Sequence, residues 1–157
     1  DTGEKTMTGG RIKRVTDYLD GETFLMTYGD GLCNVNIKEL VDFHRAHGKL
    51  ATVTSVSQPG RFGCLTVVDG EVTGFAEKPQ DDNMLVNGGF FVLEPGIIDY
   101  IANDDSTWER EPMEGLARDG QLMSYWHRDF WQPMDTLREK KLLEALWKTG
   151  SPPWKVW

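Results

Sequence analysis

The sequence predicts an α/β fold in a single domain, with a mostly parallel sheet, helices packed beside it and an inserted β-hairpin. A nearly continuous apolar run at 24–28 is followed by a helical pattern from 37 and by a β-branched run at 51–57, and together these predict a βαβ unit. Two strand-like segments flank Asp69-Gly70, a dipeptide favoured in tight hairpin turns. The length of 157 residues corresponds to about one domain of ordinary size.

The first half of the chain alternates helix and strand signals. Apolar residues lie on one face of a predicted helix at 11–19, which Asp20-Gly21 ends. The apolar run that follows predicts a strand covered on both faces, and it ends in Gly29-Asp30-Gly31. Asn36 stands three residues before Glu39, a spacing typical of a capping box at the start of a helix.

The second half contains the hairpin and the remaining elements. Asn87-Gly88-Gly89 precedes a predicted buried strand at 90–93, and Pro95 fits the first turn of a helix. The other predicted elements, in chain order, are a helix reaching about 101, a helix at 111–119, a strand at 121–126 and a helix at 135–148.

Composition limits the class of partner. The net charge is −8 with a pI near 4.8, and no stripe of Lys or Arg occurs, so neither nucleic acid nor an anionic membrane is an expected partner. Cys33 and Cys64 are the only cysteines, which indicates a reducing compartment. No apolar run approaches the roughly 20 residues of a membrane span. We therefore expect a cytoplasmic protein that binds small molecules.

Asp30 is the first candidate functional residue. Gly29-Asp30-Gly31 follows a strand and precedes a helix, nearly the setting of a dinucleotide-binding fingerprint, but the third glycine is absent. A carboxylate would repel phosphates cradled directly on the backbone, whereas it suits a residue that holds Mg²⁺. An ordinary Asp-Gly turn is the alternative. The position at the carboxyl end of a strand, where open α/β sheets bind ligands, favours the functional interpretation.

Asp135 is the second candidate carboxylate, just before the last predicted helix. A magnesium–nucleotide site needs one or two carboxylates in addition to phosphate oxygens and waters, so a second carboxylate distant in sequence would complete such a site. The alternative is that Asp135 serves as the N-cap of the helix, a position at which Asp is favoured.

Three further segments carry side chains suited to substrates. Glu77-Lys78-Pro79 places a cation at a strand end, where it could hold a phosphate. The alternative is that Lys78 is a solvated lysine beside a turn. Asn87-Gly88 offers an amide that both donates and accepts, suited to sugar hydroxyls, or alternatively a plain turn. Gly9-Gly10-Arg11 opens a helix with amides and a guanidinium suited to an anion, or alternatively forms a flexible loop.

Together these segments resemble the glucose-1-phosphate cytidylyltransferase family of sugar-1-phosphate nucleotidylyltransferases. The match runs essentially end to end and in order. The segments that carry it are Met7-Thr8-Gly9-Gly10-Arg11, Thr27-Tyr28-Gly29-Asp30-Gly31, Pro59-Gly60-Arg61-Phe62-Gly63, Phe75-Ala76-Glu77-Lys78-Pro79, Asn87-Gly88-Gly89-Phe90-Phe91-Val92-Leu93, Phe130-Trp131-Gln132-Pro133-Met134-Asp135-Thr136 and Pro153-Trp154-Lys155.

The resemblance implies a Rossmann-like nucleotidyltransferase fold and an activity. The family joins CTP and α-D-glucose 1-phosphate into CDP-glucose and pyrophosphate, for polysaccharide biosynthesis. The site residues it implies are Asp30 and Asp135 for Mg²⁺, Lys78 and Asn87 with the adjoining Glu77 and Gly88 for the sugar phosphate, and Gly9, Gly10 and Arg11 for the nucleotide, with Asp30, Lys78 and Asp135 as the catalytic set.

The chain also departs from the family pattern. The family begins with a strand and a Gly-rich loop, Gly-Gly-x-Gly-Thr-Arg, which grips the triphosphate and the base, and the 157 residues contain no such segment. We therefore expect a C-terminal portion of the catalytic domain that is inactive alone and, as in the family, forms a homo-oligomer. The alternatives are a non-catalytic chain that binds a sugar phosphate or oligomerises, and a thymidylyl- or uridylyltransferase relative.

Overall fold

The computed structural model describes residues 1–57, 64–68, 70–76 and 85–156. Its strands in chain order are β1 (Phe24–Thr27), β2 (Gly31–Cys33), β3 (Ala51–Ser57), β4 (Cys64–Val68), β5 (Glu71–Ala76), β6 (Leu85–Leu93), β7 (Leu122–His127) and β8 (Trp131–Pro133). Its α-helices are α1 (Thr8–Arg14), α2 (Ile37–His47), α3 (Glu111–Arg118) and α4 (Leu137–Lys148), with short 3₁₀ helices at Thr16–Tyr18 and Pro95–Tyr100.

A four-stranded sheet in the order β1-β6-β3-β7 forms the centre of the described residues. The predicted α/β class is confirmed, but the sheet is mixed rather than mostly parallel in its pairing. Strands β1, β3 and β7 share one direction, while β6 lies between β1 and β3 and runs against both. Leu85, at the start of β6, pairs with Ser57, at the end of β3. The chain therefore re-enters the sheet at the same end at which β3 leaves it, without the crossover that parallel pairing requires.

The predicted hairpin is confirmed. Strands β4 and β5 pair antiparallel, and Val68 lies opposite Glu71 across a two-residue connection. Gly70 has a φ of +88°, a left-handed conformation that glycine adopts without strain. Asp69, the other residue of the predicted turn, lies outside the described residues.

Helix α2 begins where the sequence predicts. The Asn36 side chain accepts a hydrogen bond from the Glu39 backbone amide at 3.2 Å, and its own amide donates to the Glu39 carboxylate at 2.8 Å. Gly48 ends the helix in the left-handed conformation. Two other predictions are wrong in detail. The helix expected to reach residue 19 ends at Arg14. Strand β1, expected to be covered on both faces, lies at the edge of the sheet that the described residues form, and its Leu25 is 51 % exposed.

The main core lies between one face of the sheet and the segments that follow β6 and precede α3. Its fully buried members include Phe91 and Trp108, whose rings meet edge to face at 5.9 Å. Ile12 anchors α1 to this core, and Leu116 anchors α3. In the described part of the chain, no helix combines the length and apolar character needed to cross a bilayer.

The two histidines of α2 belong to a hydrogen-bonded network under the sheet. The Thr52 hydroxyl contacts His44 Nδ1 at 2.9 Å and His47 Nε2 at 2.7 Å, and His44 Nε2 lies 3.0 Å from a Glu94 carboxylate oxygen. The Lys49 backbone amide donates to His47 Nδ1 at 2.9 Å. Because a backbone N–H can only donate, His47 Nδ1 carries no proton, and His47 is neutral in this arrangement.

This network predicts a pH dependence of stability. Burial, with the charges of His44 and Lys49 adding to it, holds the pKa of His47 below its ordinary value of about 6.5. The unfolded state therefore binds more protons as the pH falls below about 6.5, and the free energy of unfolding decreases in that range. Denaturant melts between pH 7.5 and 5 measure the decrease. We expect His47→Gln, which can keep both contacts but does not titrate, to flatten this part of the profile.

Candidate active site

A short antiparallel ribbon brings the two candidate carboxylates to the same place. Strand β2 pairs with β8, with Gly31 opposite Pro133 and Cys33 opposite Trp131. Asp30 immediately precedes β2, and its carbonyl accepts a hydrogen bond from the Met134 backbone amide at 2.8 Å. Asp135 is the next residue along the chain. The ribbon therefore joins residues 105 positions apart.

One pocket of about 240 Å³ is lined by four of the nine predicted site residues, namely Asp30, Asn87, Gly88 and Asp135. Asp30 and Asp135 both line this pocket, and both residues are exposed to solvent. The other residues that line the pocket are Tyr28, Gly31, Val86, Asn87, Gly88, Trp131 and Pro133. The structure thus brings the two carboxylates together with the amide predicted to bind the sugar.

Asn87-Gly88-Gly89 lies inside β6 and is not a turn before it. The pairing of β6 with β3 shifts register here, from Phe91 opposite Val53 to Asn87 opposite Ser55. Gly89 has a φ of +77°, and a Cβ on Gly88 would lie 2.9 Å from the Thr54 carbonyl oxygen. The glycines are therefore required by an irregularity in the strand, which is the kind of feature that redirects side chains near functional sites.

Trp131 closes one side of the pocket. Its indole Nε1 donates a hydrogen bond to the Gly88 carbonyl at 2.8 Å, which ties β8 to the irregular part of β6. Both residues line the pocket. The ring is therefore held at a fixed position beside Asn87.

The Asn87 amide is held from two directions. Its Oδ1 accepts from the Gly89 backbone N–H at 2.8 Å, and its Nδ2 donates to the Tyr28 hydroxyl at 3.2 Å. The Tyr28 hydroxyl donates to Glu109 at 2.6 Å. Burial, the hydrogen bond to Glu109 and the charge of that carboxylate raise the pKa of Tyr28 far above its ordinary value. The hydroxyl is therefore protonated at neutral pH.

The N-cap interpretation of Asp135 is wrong. Thr136 caps α4: its hydroxyl accepts from the Glu139 amide, and the Glu139 carboxylate accepts from the Thr136 amide at 2.8 Å. The Asp135 backbone amide also donates to Glu139, at 2.9 Å. Because the capping box at Thr136 is complete, helix capping does not explain the aspartate at position 135.

Gly9 and Gly10 are buried in α1, and their amides are not available to an anion as the sequence suggests. Both amides donate to the Ser106 carbonyl, at 2.9 and 3.2 Å. Arg11 is exposed, and its guanidinium donates to the Thr2 hydroxyl at 2.6 Å. Packing against residues 104–106 therefore explains the two glycines, and a role of this segment in nucleotide binding stays a prediction.

The donors in the pocket fit a magnesium ion better than a structural transition-metal site. Within the described ranges, no group of three or more His, Cys, Asp and Glu side chains could hold a metal. Two exposed carboxylates suit Mg²⁺, which is commonly bound by one or two carboxylates together with substrate phosphates. Glu77 and Lys78 lie outside the described residues, so their predicted roles stay predictions.

Sequence reasoning missed three residues that shape this site. Tyr28 and Trp131 fall within segments that resemble the cytidylyltransferase family, but nothing in their local pattern indicates a role in the pocket. Glu109 follows Trp108 in a polar segment and carries no local signal at all. Its contact with Tyr28 joins positions 81 residues apart.

The fold is that of the α/β nucleotidyltransferases. The crystal structure of HddC from Yersinia pseudotuberculosis matches with a TM-score of 0.66 and 19 % identity, covering 89 % of this chain and 62 % of that one, which supports the fold. Residues 5–135 match the family model described as Nucleotidyl transferase. The chain belongs to this nucleotidyl transferase family.

The relatives confirm the resemblance to glucose-1-phosphate cytidylyltransferases. The protein of that name from Salmonella typhi is 56 % identical over 158 residues, covering 100 % of this chain and 62 % of the relative. A mannose-1-phosphate guanyltransferase from Neurospora crassa is 34 % identical, covering 92 % of this chain and 43 % of that protein. The chain therefore spans less than two thirds of the length of these relatives.

Proposed function

We propose that the protein of which this chain forms the catalytic pocket transfers a cytidylyl group from CTP to α-D-glucose 1-phosphate, giving CDP-glucose and pyrophosphate. The observation that carries the proposal is the pocket itself, lined jointly by Asp30, Asp135 and Asn87. Within one cavity, the two carboxylates would hold a metal ion for the phosphates of a nucleotide, and the fixed amide would bind the hydroxyls of a sugar.

The reaction requires positioning and neutralisation of charge more than a protein nucleophile. An oxygen of the sugar phosphate attacks the α-phosphorus in line, and pyrophosphate leaves. Asn87 would orient the sugar through its amide, and Lys78 would hold the sugar phosphate as a point charge. Holding the two reactants in this geometry lowers the barrier by making the step effectively unimolecular.

Asp30 and Asp135 would hold the Mg²⁺ ion. When bound, the ion supplies neutralisation of the negative charge on the nucleotide phosphates. The two side chains suit this role because the β2–β8 ribbon fixes the backbone on which both are carried, through the bond from the Met134 amide to the Asp30 carbonyl. Rigid placement of charged groups is what makes them effective in a site.

Cytidine is the proposed base because of the pattern of similarity. The Salmonella typhi cytidylyltransferase is 56 % identical to this chain, while the Neurospora crassa guanyltransferase is 34 % identical. Both act on a sugar 1-phosphate by name. The higher identity, over the whole of this chain, favours glucose 1-phosphate as the sugar as well.

An assay of pyrophosphate release tests the proposal. The chain is assayed alone and with the family's N-terminal nucleotide-binding segment supplied in trans, using glucose 1-phosphate with CTP, UTP, dTTP or GTP in turn. We expect turnover with CTP at least about tenfold faster than with the other nucleotides at equal concentration, which corresponds to about 1.4 kcal/mol of discrimination. Mannose 1-phosphate serves as the control sugar.

The other outcomes separate the alternatives. Turnover with UTP or dTTP in preference to CTP would reassign the base, and turnover by the 157-residue chain alone would overturn the expectation that it is inactive by itself. Binding of glucose 1-phosphate without turnover in any combination would favour a non-catalytic sugar-phosphate-binding chain. Association into a homo-oligomer also stays a proposal, which light scattering on the same preparations tests.

A further inference from the structure

A chain of four hydrogen-bonded side chains runs from α1 to the pocket. Thr8 donates to one oxygen of Glu109 at 2.8 Å, and Tyr28 donates to the other at 2.6 Å. The Tyr28 hydroxyl in turn accepts from Asn87 Nδ2 at 3.2 Å. The four residues come from four separate segments of the sequence, and Asn87 is the one among them whose amide is predicted to contact a substrate.

The available hydroxyl protons determine which side chain donates and which accepts in each hydrogen bond of this network. An ionised glutamate only accepts hydrogen bonds, so the single proton of Tyr28 is directed at Glu109. The Tyr28 oxygen is then left as an acceptor, and it can contact only the NH₂ side of the Asn87 amide. The Gly89 backbone N–H independently requires the carbonyl side of Asn87 to face Gly89. Both constraints select the same orientation of the amide.

Glu109 is itself held in place by the core. Trp108, the preceding residue, is fully buried, and its backbone amide donates to the Thr8 hydroxyl at 2.9 Å. The Thr8 hydroxyl therefore accepts a hydrogen bond from the Trp108 backbone N–H and donates its own to Glu109. Both carboxylate oxygens of Glu109 are thus engaged by hydroxyls whose positions depend on buried neighbours.

We propose that Glu109 is a positioning residue for sugar recognition: by orienting the Tyr28 hydroxyl, it helps to hold the Asn87 amide in the orientation that the Gly89 backbone N–H also requires. Among the contacts of the described residues, Asn87 keeps one N–H and one carbonyl lone pair for a ligand. A ligand that fits this arrangement has neighbouring hydroxyls, one accepting and one donating. The inference rests on the proposed function for the identity of that ligand as a sugar phosphate.

The orientation of the amide is measurable without any ligand. Side-chain amide resonances of ¹⁵N-labelled chain, with Asn87→Ala to assign the Asn87 pair, report the hydrogen bonding of Asn87 directly. We expect Glu109→Ala to move this pair, because the Tyr28 proton loses its acceptor, and Glu109→Gln to restore it, because the glutamine oxygen still accepts from Tyr28. Glu111→Ala removes a charge two residues away, on an exposed side chain, and is the matched control.

The affinity for glucose 1-phosphate provides the second measurement. Loss of one well-placed hydrogen bond weakens binding by about tenfold, so we expect that increase in Kd for Glu109→Ala. Adding Glu109→Ala to Asn87→Ala should cause no further loss, because Glu109 acts through Asn87. In a turnover assay, the KM for the sugar phosphate should rise while the KM for CTP stays unchanged.

Failure of this inference is distinguishable from failure of the proposed function. If the wild-type chain does not bind glucose 1-phosphate but the Asn87 resonances move in Glu109→Ala, the positioning role stands and the proposed substrate is wrong. If the Asn87 resonances stay in place in Glu109→Ala, or if Glu109→Ala weakens binding equally with and without Asn87, the positioning role is overturned.

Discussion

Asp30→Asn and Asp135→Asn should each lower the rate of nucleotidyl transfer by about a hundredfold or more, because each removes a negative charge proposed to hold the Mg²⁺ ion while it preserves the size of the side chain. Neither carboxylate caps a helix of the described residues. Asp30 meets the β2–β8 ribbon through its backbone carbonyl, and the cap of α4 rests on Thr136 and Glu139. Urea denaturation of both variants separates a loss at the site from a loss of stability.

The measurement is kcat/KM for pyrophosphate release in the complemented assay, together with the affinity of the chain for Mn²⁺ by electron paramagnetic resonance. Asp17→Asn, at an exposed position in the 3₁₀ helix Thr16–Tyr18, is the charge-matched control and should change neither quantity. Each site variant should weaken Mn²⁺ binding. Full activity in both site variants would contradict the assignment of these carboxylates to a metal.

The convergence of the two carboxylates was partly predictable. A strand ending in Gly29-Asp30-Gly31 indicates a ligand site at the carboxyl edge of a sheet, and the sequence placed Asp135 before the last helix. The β2–β8 ribbon that joins them was not predicted, because each of its strands is three residues long and too short to show a period of two. Pairing of such segments depends on the tertiary structure around them.

The direction of β6 illustrates a second limit. Its apolar residues correctly predict a buried strand, and composition cannot distinguish a parallel from an antiparallel neighbour. The direction of β6 depends on the end of the sheet at which the chain re-enters it. Here Leu85 lies opposite Ser57, so β6 starts at the end where β3 stops. Glu109 is a further example, since its contacts with Thr8 and Tyr28 exist only after α1 and β1 have packed.

Gly10→Ala should destabilise the chain by about 2 kcal/mol or more, the second large effect expected. Inside a helix, alanine is favoured over glycine by roughly 1 kcal/mol, so on propensity alone the substitution would stabilise α1. A Cβ on Gly10 would, however, lie 2.5 Å from the Asp104 carbonyl oxygen and 2.6 Å from the Asp104 Cα. Both are backbone atoms, and overpacking of this kind typically costs 1–3 kcal/mol, roughly, with more where the neighbour cannot move.

Asp104 has little freedom to move away, because Arg14 of α1 holds its carboxylate through two hydrogen bonds and the Met7 amide donates to its carbonyl. Urea denaturation of Gly10→Ala measures the effect, with Gly29→Ala as the control, since a Cβ there meets no atom within 4 Å. The result also separates two explanations for the glycine. Packing against Asp104 requires a loss of stability, whereas a role confined to nucleotide binding would leave the denaturation midpoint unchanged and reduce only the affinity for CTP.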